Sequence, residues 1–391
     1  MIVHPPRLQE RRGTVRLVAR VEREAGARHA ADVWFEVPTR LADNLTTRLD
    51  PFACALFLVA QRLGERLVLE GPVDERVADG ASECMPLMAH WNPGKYALTG
   101  LVATERVRAP ETMGLRAATA FSGGSDSMYT VRRRLPGRED SVPPIVARAV
   151  FVHGFDIPVD DHRNYRECLR IYTRELAPLG VEVVPIRTSI RLLRPRTPWD
   201  DLHNPCLAAV AHLLEGLWSL FFVPSSHTTE TGYEPNGSHP FLHLMLSSTA
   251  TQVRTDGLDH GRREKTMLVA DWDVAQRSLR MCWKEIDGVM NCGRCGKCLR
   301  RMMQMRALGV LNRFETFKAP LDRRLVRRMR WASPTLPSRG RWLMREAWKD
   351  KDWEIWGDLA ISEARRMAVD TARWPMDAAR GVVRAARGLL D

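Results

Sequence analysis

The distribution of hydrophobic and polar residues divides the chain into segments with different periods. In the first quarter, some segments alternate apolar and polar residues, as strands with one buried face do, and others have helical spacing. The strand-like segments are Thr14–Val21, Asp32–Val37 and 95–107, and the helix-like segments are 51–66 and 73–91. We therefore predict a small N-terminal α+β domain over residues 1–112.

A different pattern begins near residue 116, where short apolar strands alternate with helices. The strand candidates are Ala117–Phe121, Ile145–Val152, Val181–Ile186 and Leu220–Val223, and the helix candidates are Met128–Leu135, His162–Leu179 and Cys206–Leu217. Such alternation is typical of a doubly wound, mostly parallel α/β sheet, which binds ligands at the carboxyl ends of its strands. We predict that this domain covers residues 113–318 and that a basic, Trp-rich helical extension follows over 319–391.

The composition is that of a folded, water-soluble protein, because 45% of the 391 residues are hydrophobic and 27% are charged. These fractions exclude disordered, collagen-like and polytopic membrane proteins. The longest apolar run, Leu207–Pro224, contains His212 and Glu215, so we interpret it as a buried helix and a strand. The N-terminus carries no apolar secretion signal, which indicates a cytoplasmic protein without a membrane partner.

The formal net charge of +12 is concentrated in one segment. Residues 294–330 contain twelve Lys or Arg and two acidic residues, whereas residues 1–293 contain equal numbers of both. Such a localised charge suits an anionic ligand or thiolates better than general nucleic-acid binding. The tryptophans of the extension are interleaved with Asp and Glu, which favours a packing role over a membrane face.

The clearest chemical motif is Phe-Ser-Gly-Gly-Ser-Asp-Ser at 121–127, between a predicted strand and a predicted helix. Two adjacent glycines let backbone N–H groups turn inward, the serines add hydroxyl donors, and the helix N-terminus adds partial positive charge. These features predict an anion cradle. The motif lacks the Gly-Lys-Ser/Thr ending of a Walker A loop and the third glycine of a dinucleotide fingerprint.

Four cysteines form the second motif, with the spacing C-x9-C-x2-C-x2-C: Cys282, Cys292, Cys295 and Cys298. Thiolates in such short turns suit tetrahedral Zn²⁺, and a closed four-cysteine site builds structure instead of activating water. An iron–sulfur cluster uses the same ligands and stays an alternative, whereas disulfides do not suit a reducing compartment.

These two motifs resemble a known family. Ser122–Ser127 is similar to the S-G-G-x-D-S loop of the PP-loop ATP-pyrophosphatase superfamily, which has a HUP-like fold, and the four cysteines match the zinc site of 7-cyano-7-deazaguanine synthases one for one. The resemblance covers about residues 116–310, in the same motif order. It implies a ligase that cleaves ATP to AMP and pyrophosphate and activates a carboxylate or amide for attack by a nitrogen nucleophile.

The resemblance also implies roles for single residues. Asp126 and Lys265 would be catalytic, with Asp126 positioning Mg²⁺ and Lys265 meeting phosphate charge. The pyrophosphate would be held by Ser122, Gly123, Gly124, Ser125 and Ser127. Further nucleotide-binding candidates at predicted strand ends are His153, Gly154, Ser225 and Ser226, and the substrate-side candidates are His227, Ser238, His239 and Arg262.

The chain departs from deazaguanine synthases where those enzymes recognise their substrate. His153–Asp156 replaces their Tyr-Gly-Gln motif, and Tyr233–Pro240 replaces their Pro-Asp-Cys-Arg loop, so a small molecule and a peptide both remain candidate substrates. Two other functions stay open: a sulfur-transfer enzyme that modifies tRNA, and a non-catalytic nucleotide-binding protein. A nucleic-acid partner is not favoured, and a homodimer stays open.

Overall fold

The computed structural model describes residues 1–24, 30–111, 114, 116–193, 197–230, 233–282, 290–329, 337–349, 351–365 and 367, with the side chains of 337–342 excepted. The chain divides into two compact units, Met1–Trp283 and Lys284–Asp391. The domain boundaries that the sequence predicts near residues 112 and 318 stay predictions.

One large sheet of eleven strands organises the described residues of the first unit. The strands are β1 (Ile2–Val3), β2 (Arg7–Arg11), β3 (Thr14–Glu22), β4 (Ala31–Pro38), β5 (Leu67–Asp74), β6 (Leu101–Val107), β7 (Ala117–Ala120), β8 (Val146–His153), β9 (Glu182–Thr188), β10 (Leu220–Pro224) and β11 (Gln252–Asp256). β7 to β11 run parallel to their neighbours, whereas β4 pairs with β9 in antiparallel register, Phe35 opposite Thr188. The predicted mostly parallel α/β sheet is confirmed.

The parallel strands lie in the spatial order β11-β10-β7-β8-β9. Because the chain visits them from β7 to β11, the direction of winding reverses between β7 and β10. A reversal of this kind opens a crevice at the carboxyl ends of the two strands, where ligands bind in doubly wound sheets. The residues that follow β7 and β10 therefore face the most favourable position for a ligand.

Helices of the first unit form two groups. They are α1 (Asp50–Leu63), α2 (Glu75–Trp91), α3 (Ser125–Arg133), α4 (His162–Leu176), α5 (Trp199–Leu213), α6 (Pro240–Met245), α7 (Arg262–Ala270) and α8 (Asp273–Ser278), with short 3-10 turns at Thr39–Asn44, Ala177–Leu179 and Ile190–Leu193. α1, α2, α5 and α6 pack together, and α3, α4, α7 and α8 form the other group. Right-handed crossovers place the groups on opposite faces of the sheet.

The predicted helix over 73–91 differs from the structure at its beginning. The chain stays extended in β5 through Asp74, and α2 begins at Glu75. The Asp74 carboxylate is fully buried and accepts hydrogen bonds from the backbone N–H groups of Arg76 and Val77, at 3.1 and 3.4 Å. An aspartate that caps the first turn in this way fixes the helix start, and the helical spacing of the apolar residues did not show it.

The second unit is helical where it is described. It contains α9 (Gly296–Ala307), a 3-10 turn at Leu311–Arg313, α10 (Arg323–Arg328), α11 (Pro337–Lys349) and a further helical stretch at 353–365. Arg306 pairs with Asp352 at 2.9 Å, and Arg323 pairs with Asp358 at 2.6 Å. Carboxylates of the extension therefore neutralise part of the positive segment that the sequence reveals.

The tryptophans of the extension have unequal surroundings. Trp356 packs against the apolar core of this unit, as predicted, whereas Trp348 and Trp353 are 57% and 53% exposed. The Trp342 side chain and Trp374 lie outside the described residues. Among the described helices, none combines the length and the apolar character that crossing a membrane requires.

Candidate functional site

The loop after β7 lies at the point where the winding reverses. Gly123 has a φ of +75°, and a Cβ atom there would lie 2.0 Å from the Tyr172 hydroxyl oxygen, so only glycine fits. Tyr172 of α4 is completely buried, and its hydroxyl donates to the Ser122 carbonyl oxygen at 3.3 Å. The aromatic side chain thus fixes the backbone of the loop.

Helix α3 begins at Ser125, three residues earlier than predicted, so the second half of the motif forms its first turn. The Ser127 hydroxyl joins the two halves, donating to the Gly124 carbonyl oxygen at 3.0 Å and accepting from the Ser122 N–H at 3.3 Å. Within the described chain, no side chain caps the helix, and the Ser125 Oγ and Asp126 Oδ1 atoms are buried without hydrogen-bond partners. This turn therefore offers donors and a carboxylate oxygen to a ligand.

A second helix N-terminus approaches the same loop. α7 begins at Arg262 after Gly261, and again no described side chain caps it. The Arg262 Nε atom lies 3.7 Å from Asp126 Oδ2, and α7 packs against α3. The partial positive charges of two helix N-termini combine here, which suits a ligand with several negative charges.

Lys265, in the first turn of α7, is only 1% exposed. Its Nζ atom donates to the Ser225 carbonyl oxygen at 2.7 Å and lies 5.5 Å from the centre of the Tyr129 ring. Burial lowers the pKa of Lys265, and the carboxylates of Asp126 and Asp256 oppose that shift. The ammonium group therefore contacts the residue that follows β10 and is influenced by the carboxylates at the end of β11 and in the Ser122–Ser127 loop.

Asp256, the last residue of β11, also belongs to this group of residues, although the sequence pattern did not predict it. It is 4% exposed, and its Oδ1 atom accepts a hydrogen bond from Arg134 at 2.6 Å. Its Oδ2 atom is buried and has no partner among the described residues. The only local signal is an aspartate at the end of a short strand, and that signal depends on recognising β11.

Ser225 joins the same group of residues. Its N–H donates to the Asp256 carbonyl oxygen at 2.8 Å, and its Oγ atom accepts from the His227 N–H at 3.0 Å. Ser226 and His227 follow it and are partly exposed. The structure thus brings Ser122–Ser127, Arg262, Lys265 and the loop after β10 together, and their predicted roles in ligand binding stay predictions.

Ser238 and His239 contact a different set of residues. The His239 ring lies 5.0 Å from Trp91 and 5.4 Å from Tyr233, and its Nδ1 atom accepts from the Phe241 N–H at the start of α6. The Ser238 N–H donates to Asn236 Oδ1 at 2.8 Å. These contacts shape the loop before α6, and the predicted roles of both residues in substrate binding stay predictions.

His153 and Gly154 are accounted for by packing. The His153 ring is completely buried and stacks on Tyr165 with centres 4.2 Å apart, and burial lowers the pKa of His153 to about 4. Its Nε2–H donates to the Pro158 carbonyl oxygen at 2.7 Å. Gly154 has a φ of +105°, and a Cβ atom there would lie 2.2 Å from the Thr188 carbonyl oxygen. Their predicted contact with adenosine stays a prediction.

The four predicted metal ligands converge. The Sγ atoms of all four cysteines lie within 4.8 Å of one another, and those of Cys292 and Cys298 are 3.8 Å apart. Tetrahedral Zn–S bonds of about 2.3 Å place the sulfur atoms about 3.8 Å apart, so the spacing fits zinc. The Cys295 N–H points to Cys292 Sγ at 3.3 Å, and the Cys298 N–H points to Cys295 Sγ at 3.5 Å. This group can hold a metal ion such as zinc.

We predict that the two glycines of the Ser122–Ser127 loop contribute unequally to the stability of the fold. Gly123→Ala is expected to lower the free energy of unfolding by about 3 kcal/mol, because it combines a left-handed backbone with overlap of a buried ring. Gly124→Ala is the matched control, since Gly124 has a negative φ and its Cβ would approach the Ser122 hydroxyl at 3.3 Å and the Arg280 carbonyl oxygen at 3.7 Å, without severe overlap. Chemical denaturation of both variants measures the difference, and equal effects would contradict this account of the loop.

We predict that the positive charge of Lys265 contributes to the binding of Mg²⁺–ATP. Lys265→Met retains the length of the side chain and removes its charge, so we expect Mg²⁺–ATP to bind about 30-fold more weakly. Isothermal titration calorimetry measures this loss. Arg254→Met, which removes an exposed cation from β11, is the control and is expected to bind normally. Unchanged affinity in Lys265→Met would exclude Lys265 from the nucleotide site.

No model of a known protein family, no curated protein and no solved structure matches this chain. The chemistry of the site is therefore inferred from its own residues. These are a glycine turn at the switch point, two uncapped helix N-termini, a buried ammonium group, and two carboxylates that each keep an oxygen atom without a partner among the described residues.

Proposed function

We propose that this chain is an ATP-dependent adenylating ligase of the PP-loop ATP-pyrophosphatase type, resembling 7-cyano-7-deazaguanine synthase. The observation that carries the proposal is the convergence of α3, α7 and Lys265 on Ser122–Ser127 at the switch point of the sheet. In this proposal ATP is cleaved between its α and β phosphates and AMP is transferred to a carboxylate or amide oxygen. A nitrogen nucleophile then displaces AMP, and pyrophosphate is the other product.

The residues of the loop suit the pyrophosphate group. Backbone N–H groups at the start of α3 and the buried Ser125 hydroxyl supply donors that need no rearrangement when the anion arrives. Lys265 and Arg262 add two positive charges beside the same turn. Such preorganised donors and charges stabilise negative charge that develops on a leaving pyrophosphate.

Mg²⁺ would be held by carboxylate oxygens. Asp126 Oδ1 and Asp256 Oδ2 are buried and have no hydrogen-bond partners in the described chain, and both carboxylates act electrostatically on Lys265. Oxygen ligands are those that Mg²⁺ prefers, usually together with phosphate oxygens. The ion, when bound, neutralises part of the phosphate charge.

The cysteines outside the cluster favour the ligase over sulfur transfer to tRNA. A sulfur carrier needs an accessible thiolate. Cys54, Cys84, Cys168 and Cys206 are each at most 3% exposed. Burial raises the pKa of Cys54, Cys84 and Cys206. None of the four is accessible as a sulfur carrier would be, so the cluster alone would have to supply the sulfur chemistry.

The identity of the products tests the proposal. The purified protein is incubated with Mg²⁺ and α-labelled ATP against a panel of carboxylates and amines, and the nucleotide products are separated. We expect AMP and an equal amount of pyrophosphate with a competent acceptor. ADP and phosphate as products, or failure of calorimetry to detect ATP binding with Mg²⁺ present, would contradict the proposal.

A further inference from the structure

Arg280 lies beside the phosphate loop, although it is distant from the loop in sequence and belongs to neither motif. Its backbone N–H donates to the Gly123 carbonyl oxygen at 2.8 Å. Its own carbonyl oxygen lies 3.7 Å from the position that a Cβ atom would take on Gly124. The segment between α8 and the first cysteine of the cluster therefore runs along both glycines of the loop.

The Arg280 side chain is buried, with 6% of its surface exposed. Within the described part of the chain, no oxygen atom accepts a hydrogen bond from its guanidinium group and no carboxylate pairs with it. Two other arginines of this region have such partners: Arg134 binds Asp256, and Arg277 binds Glu175 at 2.9 Å. Arg280 thus differs from its neighbours in lacking an acidic partner from the protein.

A guanidinium group in a residue this deeply buried favours an anionic partner, because it carries five N–H donors and no acceptor. The loop next to Arg280 also contains a hydrogen-bond donor without a partner. The Ser125 hydroxyl is 99% buried and also lacks a partner among the described residues. Two unsatisfied donor groups on adjacent segments indicate a ligand that is rich in negative charge and acceptor oxygens.

The electrostatics place the Arg280 charge close to the turn. Burial raises the pKa of Tyr172, and the positive charge of Arg280 opposes that shift. The Tyr172 hydroxyl is the group that lies against Gly123 and donates to Ser122. The positive charge of Arg280 therefore acts on the side chain that holds the Ser122–Gly123 backbone in place.

We propose that Arg280 binds the pyrophosphate moiety of the nucleotide, that is, its β and γ phosphates, opposite the first turn of α3. A guanidinium group can donate two parallel hydrogen bonds to a phosphate, which gives direction as well as charge. This inference rests on the proposed function and adds a phosphate-binding residue to it.

Binding of inorganic pyrophosphate and of AMP tests the role of Arg280. Both are titrated calorimetrically, with Mg²⁺ present, into the full-length zinc-loaded protein. In Arg280→Met we expect pyrophosphate affinity to fall about 30-fold or more and AMP affinity to stay within about twofold, since AMP lacks the two phosphates. Arg277→Met, three residues away and paired with Glu175, is the matched control and is expected to bind both ligands normally.

Arg280→Lys keeps the charge and loses the two-pronged geometry, so it is expected to weaken pyrophosphate binding about tenfold. Zinc content and thermal unfolding are measured for every variant. If Arg280→Met does not fold, the pyrophosphate affinity of Arg280→Lys tests the role of Arg280. Unchanged pyrophosphate affinity, or an equal loss of AMP affinity, overturns the role of Arg280 and leaves the proposed function intact. A wild-type protein that binds neither pyrophosphate nor ATP overturns the proposed function itself.

Discussion

Cys298→Ser is expected to remove the metal ion and to unfold the second unit of the chain. The wild-type protein should contain about one zinc ion per chain, and the variant less than about 0.2. Cys298 is completely buried, and a serine hydroxyl neither ionises at neutral pH nor provides a soft ligand. Structural zinc contributes about 10–16 kcal/mol to the folding of small metal-binding domains, which exceeds the net stability of many domains.

Metal analysis and limited proteolysis measure these two effects. Cys168→Ser is the matched control: Cys168 is also buried, but it lies in α4, and its thiol already donates to Asn164 Oδ1 at 3.5 Å, a bond that a hydroxyl can replace. We expect this control to keep its zinc and its protease resistance. A Cys298→Ser protein with a full equivalent of zinc would contradict the site, and iron in the wild-type protein would identify an iron–sulfur cluster instead.

Both motifs that the sequence revealed are local. The Ser122–Ser127 loop occupies six consecutive residues, and three of the four cysteines lie within seven, so their geometry follows from short-range turns. Two of these turns depend on left-handed glycines, Gly123 and Gly293. Short-range backbone constraints of this kind are visible in a sequence without any knowledge of the tertiary structure.

Asp256 and Arg280 could not be found in this way, because tertiary contacts bring them to the site. β11 contains a single apolar residue, Val253, and is a strand because it pairs with β10 in parallel register. Arg280 follows a short helix and is notable only for its burial beside Gly123. A charged residue without a partner is recognised only when its neighbours are known.

His153 shows the opposite case. Its place at the end of β8 predicts contact with a ligand, since ligands bind at the carboxyl ends of parallel strands. In the structure its ring stacks on Tyr165, and its two nitrogen atoms are hydrogen-bonded to the Pro158 carbonyl oxygen and to Arg187. The general rule selects one edge of the sheet, and packing decides which strand ends along that edge stay accessible. The winding diverges between β7 and β10, which is the position where doubly wound sheets leave strand ends accessible to ligands.

Asp126→Asn is expected to reduce the rate of AMP formation at least about 1000-fold while leaving the fold unchanged. The substitution keeps the shape of the side chain and removes the negative charge that would hold Mg²⁺. The fold should tolerate it, because Asp126 Oδ1 has no hydrogen-bond partner among the described residues and Oδ2 has only a loose contact with Arg262, at 3.7 Å. Product analysis with labelled ATP measures the rate, and thermal unfolding checks the fold.

Asp273→Asn provides the matched control for this prediction. Asp273 lies in the first turn of α8, as Asp126 does in α3, and it makes a similarly loose contact with Arg277, at 3.8 Å, but it is 76% exposed. The same change of charge at an equivalent helix position should therefore leave AMP formation within about twofold. Asp126→Asn should also lose the dependence of ATP binding on Mg²⁺, because the ion loses a protein ligand while Lys265 and the helix N-termini still attract the phosphates. If Asp126→Asn retained AMP formation within about tenfold of the wild-type rate, Asp126 would not hold the ion, and Asp256 would be the carboxylate to test next.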